Sequence, residues 1–319
     1  MSALFTRAAR PAILAASRSH RLRHTAERMP VARDVVRRFV PGETVDDVLG
    51  AVNLLRGSDR LVSIDYLGED VTDTDTADAT VTAYLRLLDA LGSSSGGGAV
   101  APLEVSLKLS ALGQALPKDG DKIALANAHT ICERARQVGA WVTVDAEDLT
   151  TTDSTLSIVR ELRTEFDWLG TVLQAYLKRT EADCAEFAAS GARIRLCKGA
   201  YDEPASVAYR DPGEVTASYL RCLRILMGGN GYPMVASHDP AIIAAVPGLA
   251  GEYGRGTDGF EYQMLYGIRD GEQRRLAAAG NHVRVYVPFG TQWYGYFVRR
   301  LAERPANLMF FLRALAQRR

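Results

Sequence analysis

The chain has 319 residues, of which 47% are hydrophobic and 24% are charged. A composition of this kind is typical of a globular protein with one large domain or two small ones. The 38 basic and 38 acidic side chains give a formal net charge of zero, which argues against nucleic-acid binding because that function normally needs a basic surface.

The N-terminal segment is basic and carries apolar residues at helical spacing. Its first 26 residues contain five arginines and no acidic residue, a composition that can mimic an organellar transit peptide. Pro11 interrupts the segment, however, and the helical spacing continues into "VARDVVRRFVPGETVDDVLGAV". We therefore predict an amphipathic N-terminal helical arm over residues 1–56 and a second domain over residues 57–319. The basic edge of the arm leaves open a weak contact with anionic lipid.

Short β-rich runs follow the arm, and segments with helical spacing lie between them. The runs cover residues 60–68, 103–110, 141–148, 170–178, 192–201, 232–239, 260–267 and 282–290. Eight such units in a chain of this length predict an α/β fold, a (β/α)8 barrel of the TIM type. A doubly wound sheet is the alternative.

One segment matches a dinucleotide-binding pattern by letter only. "GRGTDG" (254–259) fits GxGxxG, but a helical segment precedes it and a β-rich run follows it. The binding fingerprint needs the reverse order, strand and then helix, so that a phosphate meets the helix N-terminus. We interpret the segment as a loop and predict no Rossmann-type nicotinamide site.

In a barrel of this type the active groups lie at the carboxyl ends of the strands. Polar residues fall there in this sequence: Lys108, Asp145, Gln174, Arg195, "CKGAY" (197–201), "SHD" (237–239) and Tyr286. Singly, Lys108 could pair with a buried carboxylate, Asp145 could cap a helix, and His238 could be a hydrogen-bonded core residue. Several charges of both signs at one end of one barrel instead indicate a binding site.

Two adjacent arginines, Arg299 and Arg300, follow the eighth run inside the apolar stretch "YGYFVRRLAERPANLMFFL" (294–312). Neighbours on a helix point about 100° apart, so the two cannot share one solvated face. The simpler explanation is that Arg299 lies along apolar surface while Arg300 pairs with Glu303. The alternative is a clamp, in which two guanidinium groups and the Lys108 ammonium bind a small carboxylate.

Other kinds of site are not predicted. The five histidines are scattered without metal-ligand spacing, and no GxSxG motif is present. The four cysteines form no CxxC pair, so we expect reduced thiols of an intracellular protein and no metal site.

Seven motifs, in unbroken order and with matching spacing, together resemble proline dehydrogenase, the flavin-dependent first enzyme of proline catabolism. They are "SLKLSALG", "VDAED", "LQAYLKR", "IRLCKGAYDEP", "SHD", "EYQMLYG" and "RVYVPFGTQWYGYFVRRLAER". The resemblance runs from about residue 30 to the end and is strongest to the short monofunctional bacterial form. It implies a distorted (β/α)8 barrel that binds FAD non-covalently and oxidises L-proline to Δ1-pyrroline-5-carboxylate, on the route to glutamate. It also implies hydride transfer to flavin N5, a quinone electron acceptor, and a separate chain for the downstream pyrroline-5-carboxylate dehydrogenase.

The resemblance assigns roles to individual residues. Asp145 matches the essential acidic position, and Arg195 matches the arginine beside flavin N5. The implied substrate-binding residues are Lys108, Tyr201, Leu265, Tyr286, Arg299 and Arg300. The implied FAD contacts are Ala146, Gln174, Arg195, Lys198, Gly199, Ala200, Ser237 and His238. Two positions depart from the family pattern: Ser237 replaces a common Thr, and Asp202 stands where the bifunctional enzymes have Trp.

Two other functions stay open at this point. A Schiff-base aldolase barrel would use Lys108 or Lys198, and a non-catalytic barrel would bind a carboxylate without turnover. We expect a cytoplasmic protein, with peripheral contact at the inner face of the cell membrane as an open alternative.

Overall fold

The computed structural model describes residues 36–94 and 103–303, and its centre is a closed barrel of eight parallel strands. The strands pair in chain order, and β1 pairs with β8 to close the ring. They are β1 Leu61–Tyr66, β2 Glu104–Leu107, β3 Trp141–Val144, β4 Gly170–Gln174, β5 Arg193–Cys197, β6 Tyr232–Ala236, β7 Glu261–Leu265 and β8 Val283–Phe289. The predicted barrel is therefore confirmed, and the doubly wound alternative is wrong.

In the described part of the chain, a helix follows every strand, and helix α1 precedes β1. The helices are α1 Val45–Arg56, α2 Thr74–Ser94, α3 Gly120–Val138, α4 Leu149–Arg163, α5 Thr180–Ala189, α6 Pro212–Gly228, α7 Pro240–Glu252, α8 Asp270–Ala278 and α9 Trp293–Glu303. A 3-10 helix, Leu109–Leu112, directly follows β2. The "GRGTDG" segment connects α7 to β7 as a loop, as predicted.

Local sequence signals explain where the helices begin. Asp211 precedes α6, and its side chain accepts hydrogen bonds from the N–H groups of Gly213 and Glu214, while Pro212 occupies the first turn. A carboxylate that accepts N–H groups in this way satisfies donors that have no partner within the helix. Asp239 caps α7 similarly, and Asp148 caps α4. Asp145 is therefore not the cap of the helix that follows β3.

The barrel has an apolar outer layer and a strongly polar interior. Alternate strand residues such as Ile64, Val105 and Ile194 are buried in the main hydrophobic core. The interior instead holds buried ion pairs, because alternate residues of a strand face opposite sides of the sheet. Arg284 on β8 donates two hydrogen bonds to Glu261 on β7, at 2.7 and 3.1 Å.

A second buried pair crosses the interior from β2 to β5. Glu104 accepts a 2.6 Å hydrogen bond from Arg193, whose guanidinium carbon lies 3.8 Å from the ring centre of Trp141. Burial raises the pKa of Glu104, but the charges of Arg284, Arg193 and Arg195 outweigh it and hold this pKa far below its usual range. The carboxylate is therefore ionised inside the barrel.

Helix α1 packs against the barrel through an apolar face. Val48, Ala51, Val52 and Leu55 belong to the same core cluster as the strands. The arm boundary at residue 56 stays a prediction, and residues 1–35 lie outside the described part of the chain. Within the described ranges, no helix has both the length and the apolar character required to cross a membrane. All four cysteines are free thiols, as predicted, and three of them are buried.

Candidate active site

The carboxyl ends of β1, β2 and β3 bring together one lysine and two carboxylates. The Nζ atom of Lys108, directly after β2, lies 2.9 Å from both carboxylate oxygens of Asp65. It also donates to Oδ2 of Asp145, at 3.3 Å. Burial alone would lower the pKa of Lys108, but Asp65, Tyr286 and Asp145 outweigh it and raise this pKa well above its usual value. Lys108 is therefore a charged ammonium group.

Asp145 is the centre of this hydrogen-bonded cluster. Its Oδ2 accepts a 2.8 Å bond from the hydroxyl of Tyr286, and its Oδ1 accepts from Arg195 at 2.7 Å and from Ser106 at 2.8 Å. Burial raises the pKa of Asp145, but Lys108 and Arg195 outweigh it and hold this pKa below its usual range. The structure thus brings the predicted residues Lys108, Asp145, Arg195 and Tyr286 into direct contact.

A second group lies after β4 and β5. Gln174, the last residue of β4, donates a 2.7 Å hydrogen bond to the backbone oxygen of Glu147. Lys198 is paired with Asp239 at 2.6 Å and also donates to Thr216 at 2.9 Å. Ala146, Ala200 and Tyr201 are half-buried in the same end loops.

Gly199 adopts a backbone conformation that favours glycine, with φ of +102°. A Cβ atom at this position would lie 2.0 Å from the ring of Tyr176. The phenol oxygen of Tyr176 is buried and has no hydrogen-bond partner among the described residues. The backbone after β5 therefore packs closely against the ring of Tyr176, whose hydroxyl has no hydrogen-bond partner among the described residues.

A third group lies after β6 and β7. Nε2 of His238 accepts a 2.9 Å hydrogen bond from the backbone N–H of Leu265, the last residue of β7. The hydroxyl of Ser237 accepts from the N–H of Asp239 at 3.1 Å. His238 thus has the bonding expected of a structural histidine, at a position where it also borders the carboxyl end of the barrel.

The two adjacent arginines lie on α9, and their contacts differ. Arg299 donates a 2.6 Å hydrogen bond from Nη1 to Glu69 in the loop after β1, and its side chain is one-fifth exposed. The guanidinium carbon of Arg300 lies 5.1 Å from the ring centre of Tyr296. The predicted Arg300–Glu303 pair involves a residue whose side chain lies outside the described part of the chain.

Glu147, which follows β3, is a buried acid that the sequence analysis did not single out. Its carboxylate accepts a 2.7 Å hydrogen bond from the Ser110 hydroxyl and a 3.3 Å bond from the Ser110 N–H. Burial raises the pKa of Glu147 to about 7. This group therefore titrates near neutral pH, close to the predicted site.

Several other polar residues of the site were also missed. They are Ser63, Asp65 and Glu69 on or after β1, Glu104 and Ser106 on β2, and Gln263 on β7. One signal could have revealed Asp65: a charged residue in a buried strand, two positions from Ser63, must face a partner inside the barrel. Among the described residues, no cluster of three metal-ligating side chains is present.

Comparison with known proteins identifies the family to which this geometry belongs. Residues 48–313 match the family model described as proline dehydrogenase. The chain is 38% identical over 284 residues to the proline dehydrogenase of Deinococcus radiodurans, across 88% of this chain and 90% of that protein. The chain belongs to the proline dehydrogenase family. A second family member, proline dehydrogenase 1 of Bacillus subtilis, is 37% identical over 282 residues, across 88% of this chain and 91% of its own length.

Solved structures of larger proteins in this family share the barrel. Proline utilization A (PutA) from Bdellovibrio bacteriovorus, inactivated by N-propargylglycine, has a TM-score of 0.77 at 26% identity. The match covers 85% of this chain and 32% of that one, so this chain spans about a third of the larger protein. The bifunctional PutA of Escherichia coli is 29% identical over 310 residues, or 23% of its length.

The predicted family is therefore confirmed, and so is the prediction of an enzyme of proline oxidation at the level of the family. Proteins called proline dehydrogenase match over nine-tenths of their length, in agreement with the predicted resemblance to the short form.

Proposed function

We propose that this chain binds FAD and oxidises L-proline to Δ1-pyrroline-5-carboxylate, with electrons passed on to a quinone. The observation that carries the proposal is the hydrogen-bonded cluster of Lys108, Asp145, Arg195 and Tyr286 at the carboxyl end of a barrel of the proline dehydrogenase family. When bound, FAD supplies the two-electron acceptor for the hydride that leaves the ring carbon next to the proline nitrogen.

The residues at the ends of β3 to β6 fit a polar cofactor. The phenol oxygen of Tyr176, on the ring that packs against Gly199, is buried and has no partner within residues 36–94 and 103–303. A bound polar group would supply this hydrogen bond. Ala146, Gln174, Arg195, Lys198, Gly199, Ala200, Ser237 and His238 would hold the flavin nucleotide.

In the proposed reaction, the protein orients L-proline by its two ends. Arg299 and Arg300 would bind the carboxylate, assisted by Lys108, because guanidinium groups bind carboxylates in a bidentate geometry. Tyr201, Leu265 and Tyr286 would enclose the ring. Fixing the carboxylate in this way places the reacting carbon, which is the main contribution that a positioning site makes to the rate.

The charge state of Lys108 bears on the aldolase alternative. A Schiff base forms only from a neutral amine, whereas the carboxylates of Asp65 and Asp145 keep Lys108 protonated. Lys198 is paired with Asp239. These pairings favour the oxidation over imine chemistry.

The experiment is a visible spectrum of the purified full-length protein, reconstituted with FAD, before and after anaerobic addition of L-proline. We expect flavin absorbance that L-proline bleaches, and recovery when a soluble quinone is added. Cyclopentanecarboxylate, which has the ring and the carboxylate but no amine, is the control and should bleach nothing. Colourless protein, or trapping of a substrate on lysine by borohydride, would remove the proposal.

The proposal extends to the place of the protein in the cell. We propose a cytoplasmic protein whose basic N-terminal residues make weak contact with anionic lipid, a segment that lies outside the described part of the chain. Binding to vesicles with and without anionic lipid tests this, and equal retention on both would contradict it.

A further inference from the structure

The guanidinium of Arg195 has an acceptor in the chain for each of its five N–H groups. Nη1 donates to Asp145 and Ser106, both at 2.7 Å. Nη2 donates to Ser63 at 3.1 Å and to Glu104 at 2.8 Å. Nε donates to Gln263 at 2.6 Å. Every N–H group of Arg195 therefore has a hydrogen-bond acceptor, supplied by side chains of β1, β2 and β7 and by Asp145 directly after β3.

These acceptors differ in what they can impose on the arginine. A hydroxyl group can turn about its C–O bond to suit the donor that it meets, and the Ser106 hydroxyl is also shared with Asp145, to which it donates. Asp145 belongs to the Lys108 cluster, and Glu104 is shared with Arg193. Gln263 alone contacts Nε, the atom nearest the aliphatic stem, and so determines how the guanidinium plane is rotated about that stem.

The amide of Gln263 can point in one direction only. Its nitrogen donates a 2.5 Å hydrogen bond to Glu261, and its oxygen accepts from Arg195. A reversed amide would place a carbonyl oxygen against the Glu261 carboxylate and an NH₂ group against an arginine N–H. Glu261 is itself held by its two hydrogen bonds with Arg284. The buried Arg284–Glu261 pair therefore sets the direction in which the amide oxygen of Gln263 points.

We infer that Gln263 is a positioning residue for Arg195, which transmits the fixed geometry of the Arg284–Glu261 pair to the guanidinium at the active site. The inference rests on the proposed function, in which Arg195 lies beside the flavin. A positive charge held there favours the reduced, anionic flavin. If the Arg195 guanidinium can move away from this position, it stabilises the reduced flavin less.

The test is the midpoint potential of the bound flavin in Gln263→Met, measured by dithionite titration without proline. Methionine has a similar length and no charge, so the substitution removes the Nε acceptor while the net charge stays the same. We expect at least a tenfold less favourable reduction of the flavin, which for a two-electron couple is a potential lower by about 30 mV. The KM for L-proline should stay within about twofold, because the residues proposed to bind its carboxylate are unchanged.

Three further variants make the result specific. Gln114→Met also removes glutamine hydrogen bonds, in this case partly buried ones to Ser154 and Thr155 on α4. These bonds do not involve Arg195, so the potential should not move. In an Arg195→Met background, Gln263→Met should have no further effect on the potential, because the residue through which it acts is gone. Gln263→Leu repeats the measurement with a smaller apolar side chain, in case methionine packs poorly.

The outcomes separate this inference from the proposed function. A folded, flavin-containing Gln263 variant with the wild-type potential would overturn the inference, and so would an equal shift in the Arg195→Met background. A wild-type protein that binds no flavin, or whose flavin L-proline does not reduce, would instead overturn the proposed function.

Discussion

Both carboxylate oxygens of Asp65 lie 2.9 Å from the ammonium nitrogen of Lys108. The two residues come from the neighbouring strand ends of β1 and β2, and both are largely buried. Asp65 thus fixes the position of the lysine that is proposed to bind substrate. It also supplies the first of the two negative charges that allow a protonated lysine inside the barrel.

Asp65→Asn should destabilise the fold markedly. Removing one partner of a buried ion pair typically costs roughly 3–5 kcal/mol, and asparagine keeps one acceptor oxygen, so we expect about 3 kcal/mol. Urea unfolding followed by circular dichroism measures this change. Asp89→Asn is the matched control: its partner Arg134 lies on the surface at 2.6 Å, and such a pair contributes less than about 1 kcal/mol. Equal losses in both variants would contradict the proposed importance of the Asp65–Lys108 pair.

The arginine clamp predicts a specific kinetic defect. Arg299→Met and Arg300→Met should each raise the KM for L-proline at least about tenfold while flavin stays bound, because a charged hydrogen bond contributes about 1.5–3 kcal/mol. Steady-state kinetics and the flavin spectrum measure the two effects. Arg274→Met removes a surface arginine that is paired with Asp270, and should leave the KM unchanged. A wild-type KM in both clamp variants would remove the clamp assignment.

The raised pKa of Glu147 predicts that the difference in stability between the wild type and a Glu147→Gln variant depends on pH. The folded-state pKa is about 7 and the ordinary value is 4.5, so between these values the folded state holds a proton that the unfolded chain releases. The stability that this proton contributes is complete below about pH 4.5 and is lost as the pH rises through 7. Glu147→Gln cannot titrate but can still accept the hydrogen bond from Ser110.

Relative to wild type, Glu147→Gln should therefore become more stable as the pH rises from 5 to 8, by up to about 3 kcal/mol. Chemical denaturation at several pH values measures the difference. The exposed Glu161→Gln serves as the control and should show no such trend. A difference that is constant across this range would show that burial does not hold the Glu147 proton.

Two glycines with positive φ should differ in how much substitution by alanine destabilises the fold. At Gly191, with φ of +71°, an added Cβ would meet no atom within 4 Å, so Gly191→Ala should cost only about 1–2 kcal/mol for the left-handed backbone. At Gly199 the same atom would overlap the ring of Tyr176, which should add about 1–3 kcal/mol. Thermal unfolding of the two variants provides the comparison. Equal melting temperatures would mean that the Tyr176 ring moves aside without cost.

The sequence predicted the barrel because its signals are local. Each of the eight strands lies within a predicted run, and α6 has the bounds of the predicted segment "PGEVTASYLRCLRILMG" (212–228). Alternation, a capping aspartate and a terminal glycine each act over a few residues, so they are readable without knowing which strands meet. The runs were longer than the strands because they included loop residues such as Lys108 and Lys198.

The pairings inside the barrel could not be predicted in the same way. Glu104 reaches Arg193 and Arg195 across the interior, although β2 and β5 are not neighbours in the sheet. Such contacts exist only once the ring has closed. Family resemblance supplied the roles of Lys108 and Asp145, but the partner Asp65 carries no motif that would have marked it.

The charges at the centre of the barrel limit how its strands can be recombined. A chimaera that took β5 from an aliphatic barrel would leave Glu104 in the interior without Arg193 and Arg195. Replacing β7 alone would remove Glu261, the carboxylate that pairs with Arg284. Strands therefore have to be exchanged in complementary pairs, β2 with β5 and β7 with β8. Homologous recombination within this family should succeed at crossover points that keep each of these pairs in one parent.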